Sequence, residues 1–118
     1  MALKKDSFLI HRLVAANSAN NTLIQKSFAS LHGYLLTNDS AAALFVRYYN
    51  KATTPVAGTD TPVLSITVPA NSTVQAYFGE KGLNFDLGLG MAVTLLKGDA
   101  DATAVVLAGD MLAHTFYR

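Results

Sequence analysis

Three imidazoles, His11, His32 and His114, are the first residues in this chain that could hold a metal or move a proton. A zinc centre needs three or four converging ligands, and none of these histidines has a second potential ligand two or four residues on. They are expected to be hydrogen-bonded or surface histidines. Nucleophilic catalysis needs a serine with a base and an orienting acid. Ser18, Ser40 and Ser72 sit among turn residues, and the GxSxG elbow is missing, so they read as turn serines. Asp99, Asp101 and Asp110, beside Gly98 and Gly109, raise the idea of a calcium loop, because hard cations collect carboxylate and carbonyl oxygens. The stretch GDADATAV lacks EF-hand spacing and its closing glutamate, since Glu80 lies far away, so hairpin turns are expected there. LGLG around Gly88 and Gly90 resembles a phosphate cradle only superficially. Such a loop opens a helix, whereas here the apolar strand-like MAVTLL follows, so these read as bulge or close-approach glycines. Tyr34, Tyr48, Tyr49, Tyr77 and Tyr117 could form a sugar platform, but tyrosines at strand spacing are more often core or interface residues with a wet hydroxyl. The expectation is therefore no enzyme: no catalytic residue, no metal ligand and no cofactor.

The elements that would position these residues are strands. Ala43 to Asn50 sets Leu44, Val46 and Tyr48 on one face against Phe45, Arg47 and Tyr49 on the other. Pro55, Gly58 and Asp60 make Lys51 to Thr61 a loop, and Pro62 and Pro69 bracket VLSITV as the next strand. Within it Leu64, Ile66 and Val68 are assigned to the core, opposite Val63, Ser65 and Thr67. Further strands are expected at Phe8 to Ala15, Thr22 to Gln25, Ser30 to Thr37, Thr73 to Phe78, Met91 to Leu96, Ala104 to Leu107 and Met111 to Tyr117. Turns are expected at Asn17 to Asn21, Asn38 to Ser40, Gly79 to Gly82, Lys97 to Asp101 and Gly109 with Asp110. One competing helical reading, a capped turn over Asp39 to Phe45, yields to the β-branched and aromatic load that follows. Strands recurring about every ten residues predict a single all-β domain, an antiparallel sandwich of jelly-roll type, with Met1 to about Ser7 as a flexible arm held only by a neighbour.

With 118 residues the chain can build one core. Charged residues make up 14% and apolar residues 51%, against a usual charged share of about 25%, so either more than the usual surface is buried or part of it faces another protein. The last strand carries large apolar groups on both faces, as does the Leu44 strand, which calls for cover from within the chain or from a partner. Net charge is +1 and the nine basic residues are scattered, with only Lys4 and Lys5 adjacent. That argues against nucleic acid as a partner. There is no cysteine, hence neither a disulfide framework nor a thiolate metal site. The apolar run near the start is broken by His11 and Arg12 and is too short to span a membrane or act as a signal core.

The order YYNKATTP, GTDTPVL, ITVPA, FGEKGLNF and GMAVTLLKG, with HRLVAANSANNT before it and FYR at the end, resembles a family of small virion proteins of tailed bacteriophages, and the resemblance covers roughly Arg12 to Arg118. It implies a structural role in the particle: a capsid cement or decoration subunit that bridges major capsid proteins, or a tail, neck or fibre-associated component. A homo-oligomer, dimer or trimer, assembled in the host bacterial cytoplasm and located in the virion, goes with that role. A carbohydrate-binding attachment module is the remaining alternative. Leu96 and Lys97 before Gly98 depart from the family pattern, so nothing about what that loop touches is carried over.

Overall fold

The computed structural model describes residues 8–96, 98, 101–105 and 108–118. The expected arm, Met1 to Ser7, lies outside them. Nine strands follow one another: β1 (Leu9–Val14), β2 (Thr22–Gln25), β3 (Ala29–Asn38), β4 (Leu44–Asn50), β5 (Leu64–Val68), β6 (Ser72–Tyr77), β7 (Leu83–Phe85), β8 (Leu89–Thr94) and β9 (Met111–Tyr117). They form two antiparallel sheets, one ordered β1-β9-β3-β6 with β7 extending the β3 ladder, the other ordered β2-β8-β4-β5.

The pairing explains the shape. β4 pairs β5, β3 pairs β6, β2 pairs β8 and β1 pairs β9, the ladder of one long hairpin whose tip lies between β4 and β5. Coiling that hairpin brings β3 against β9 and β4 against β8, and its successive rungs fall alternately in the two sheets. That is the jelly roll, in which eight strands wind as two Greek keys, with β7 as a short addition.

Between the sheets Leu31, Leu36, Leu44, Val46, Tyr48, Val68, Phe85, Leu89, Met91, Val93, Met111 and Ala113 form the core. Alternation is the cause, since every second residue of each strand turns inward. In β5 Val68 is buried and Leu64 and Ile66 pack against the core, while Ser65 and Thr67 are exposed, as the period assigns them. Inside the core the Tyr48 hydroxyl is paired with the Thr115 hydroxyl at 2.8 Å, and burial pushes its pKa well up.

Asn38, the last residue of β3, is fully buried, and its side chain ties the turn that follows to the end of β5. Its amide donates to the carbonyls of Ala42, Val68 and Pro69, and its Oδ1 accepts from the Ser40 N–H and hydroxyl. Among the described residues there is no helix. Two sequence expectations need correction. The strand expected from Ala104 to Leu107 is not one where it is described: residues 101–105 lack strand structure, and Val106 and Leu107 lie outside the described residues. Val105 is buried all the same, its N–H bonded to the Ser18 carbonyl at 3.1 Å. The missed strand, β7, directly follows the turn expected at Gly79 to Gly82. Gly82, with φ 68°, leads into it, and a Cβ there would lie 2.7 Å from the Leu31 carbonyl oxygen, so glycine is what lets this turn close on β3.

Candidate functional site

The residues with chemistry in them are dispersed. His11 lies on the inner side of β1, paired with Thr115. Its pKa is lowered by burial, and its Nδ1 is buried without a hydrogen-bond partner. His32 sits at a bulge in the β3·β9 ladder, between Leu31 and Gly33. It is buried, its Nδ1 lies 3.0 Å from the Gly79 carbonyl, and its ring stacks on Phe8 at 4.5 Å. His114 is on the outer side of β9, across from Arg12 and Leu35. Among the described residues no three metal-ligating side chains come together.

The turn serines bond locally: Ser18 accepts from the Asn20 N–H, Ser40 from the Ala42 N–H, and Ser72 donates to the Ala70 carbonyl. Asp99 lies outside the described residues. Asp101 closes its own loop, accepting from the N–H of Leu96 and from the N–H and hydroxyl of Thr103. Desolvation pushes its pKa up, but those bonds and the charge of Arg47 outweigh it and hold the carboxyl below its ordinary range. Asp110 is at a different place, lining with Asp39, Ser40, Leu44 and Leu95 an open cleft of about 380 Å³. The tyrosines do not form a platform. Tyr48 and Tyr49 are buried, Tyr34 packs between Tyr48 and Phe78, and Tyr77 is 62% exposed.

What the fold does set apart is its two outer faces. On the β2-β8-β4-β5 sheet the outward residues Arg47, Tyr49, Ala92 and Thr94 are buried at 0 to 1%, because the chain covers them itself. The KATTPVAGTDTP loop folds back over the sheet. Lys51 and Asp60 form an ion pair at 2.8 Å, the same carboxylate accepts from the Val56 N–H, and Ala57 N–H bonds Asn21. The bond from the Lys51 ammonium, then that from Val56, holds the Asp60 carboxyl low. Ala57 packs with Tyr49, Ala92 and Ala19. Gly90 makes this possible: a Cβ there would lie 2.7 Å from the Pro55 ring, so the glycines of LGLG are close-approach residues. Arg47, which the sequence shows only as an alternating strand position, is the buried tie on this side. Its Nε donates to the Thr94 hydroxyl and its terminal nitrogen to the Leu96 carbonyl at 2.7 Å.

The outer face of the β1-β9-β3-β6 sheet is different. Register places Ile10, Phe116, Gly33 and Tyr77 in one row, Arg12, His114, Leu35 and Gln75 in the next, and Val14, Leu112, Thr37 and Thr73 in the third. Apart from Gly33 these residues are half-buried or exposed, with Ile10 at 62% and Val14 at 49%. Phe8 lies over one end, between His32 and Tyr77, with the Arg118 guanidinium 5.2 Å from its ring centre.

No family model matches this chain, and no curated protein matches it. Among solved structures, the coat protein of tobacco streak virus aligns over 100% of this chain and 90% of its own, with a TM-score of 0.35 and 13% sequence identity. A likeness at that level does not establish a shared fold, and the jelly-roll assignment above stands on the strand pairing alone.

Proposed function

We propose that this chain is a non-enzymatic structural component of a tailed-phage particle, a cement or decoration subunit that bridges neighbouring major capsid proteins. The observation that carries this reading is the difference between the two outer faces. One is covered by the chain's own loops, while the other leaves Ile10, Val14, Leu112 and Phe116 in an apolar surface on a chain with few charges. Exposed apolar side chains on an uncovered sheet face are what a protein contact buries, with Arg12 and Gln75 between them as its polar part. The sequence resemblance to small virion proteins supports a capsid protein as the partner, and jelly rolls are a common capsid architecture, although the fold alone fixes no function.

The mechanism is mass action. A subunit that binds the assembled lattice and not its dissociated parts stabilises the lattice, and many copies add their contributions. The test is quantitative mass spectrometry of particles produced from the genome that encodes this chain. Copies in the hundreds per particle support the cement role. A count of a few to a few dozen places the chain in a tail or neck, and absence from the particle refutes a virion role.

A further inference from the structure

The open outer face of the β1-β9-β3-β6 sheet carries a slot and a charge. Phe116 and Tyr77 stand in one row on either side of Gly33, two strand spacings or roughly 10 Å apart. No side chain stands between them, because a Cβ on Gly33 would run into the Ala76 carbonyl oxygen. The result is a cleft of about 450 Å³ lined by Tyr34, Gln75, Ala76, Tyr77 and Phe116. Tyr77 is 62% exposed, and Phe8 packs on its ring at 6.1 Å. A group seated over Gly33 would lie about 5 Å from the strand on either side, which suits contact with both rings.

The charge belongs to Arg12. It is exposed in the row next to the slot, flanked along β1 by Ile10 and Val14, and among the described residues its guanidinium has neither an ion pair nor a side-chain hydrogen bond. The strands of this sheet hold no Asp or Glu, and every described carboxylate sits in a turn or loop. The face is therefore apolar and basic at once. Two copies laid face to face would cover both Arg12 side chains with no strand carboxylate opposite, and a covered charge without a partner is strongly destabilising. Nucleic acid wants several basic groups together, whereas Arg12 stands among Ile10, Val14 and Leu35.

We infer that this face docks an acidic and apolar protein segment, in which a carboxylate pairs with Arg12 while an apolar side chain fills the slot between Phe116 and Tyr77. The inference rests on the reading of this face as a protein contact and adds the chemistry of what covers it. Guanidinium and carboxylate match as a bidentate pair. Cover by the surrounding apolar side chains takes that pair out of water, where charge complementarity selects one partner over another. The slot supplies the anchor, since interfaces concentrate their energy in side chains that fill pockets. Arg12 and Gly33 are two strands and two residues apart in register, roughly 12 Å, a distance that about four extended residues span. One short stretch of chain can therefore make both contacts.

A library of random dodecapeptides selected on the intact chain tests this directly. Enriched peptides should carry Asp or Glu close to an aromatic or aliphatic residue. Binding of a synthetic peptide from that pool should weaken at least about tenfold in Arg12→Glu and in Tyr77→Ala, each with an unchanged urea midpoint. Arg12→Lys, which keeps the charge without the fork, should retain part of it. Thr67→Glu, on the exposed outer side of β5, should leave binding as it was. In particles, Arg12→Glu should lower the copy number at least about tenfold against the parent chain. Absence of the parent chain from particles would refute the virion role alone, because the peptide selection does not depend on it. A library that yields no binder, an enriched pool without acidic residues, or binding or particle occupancy that survives Arg12→Glu would overturn the inference. So would a dimer of the intact chain that Arg12→Glu dissolves, since a second copy would then occupy this face.

Discussion

His11 shows how one side chain can make the fold less stable as the pH drops. Burial disfavours its imidazolium, so its pKa in the folded chain lies below the ordinary 6.5. The unfolded chain binds the proton more readily, and stability therefore falls as pH drops. The contribution is complete above the unfolded value and is lost through the window between that value and the lower folded one. His11→Gln, which cannot titrate, should show a flatter dependence of urea midpoint on pH from about 7.5 down to 5 than the parent chain. Equal slopes would mean that His11 is not the group responsible. The sequence shows this histidine at a strand position and nothing more. Its burial depends on β9, some hundred residues away along the chain, and Arg47 is a similar case. Its place on the outward face of β4 is legible from alternation, but a buried arginine is not, because the Thr94 hydroxyl and Leu96 carbonyl that receive it lie far along the chain.

At the level of elements, legibility follows length and punctuation. β2 is found with its bounds intact, β4 and β5 to within one residue, and β5 because prolines mark both ends. β7 is missed because three residues are too few to show a period, and because the glycines beside it signal a turn. The false strand at Ala104 has the opposite cause. Val105 belongs to the core, its N–H bonded to the Ser18 carbonyl and not to a strand partner, and burial without strand pairing looks the same in a sequence. The face assignment in β5 is open to measurement. Ile66 is only half-buried, so Ile66→Ala should cost about 2 kcal/mol, the low end for such truncations. Thr67→Ala, on the exposed face, should cost under about 1 kcal/mol. Denaturant titration decides it, and a larger loss at Thr67 would invert the register.

For the molecule as a whole, the jelly roll was readable from strand spacing, but the contrast between a self-covered face and an open one was not. Both outer faces mix apolar and polar residues in sequence, Tyr49 with Arg47 on one and Ile10 with Arg12 on the other, and only the path of the covering segments separates them. The wound-hairpin topology also places Leu9 beside Tyr117, with the chain entering β1 and leaving β9 at the same end of one antiparallel ladder. Tension applied to those two points acts across the ladder and opens it rung by rung, so each rung resists alone. Tension applied along the strands of a sheet would instead meet all rungs together. In single-molecule pulling, the chain held at residues 8 and 118 should yield at markedly lower force than when held at exposed positions on opposite ends of β3, and equal forces would contradict this geometry. A subunit built this way is a weak tether and a strong plate: any load it carries has to enter through its faces.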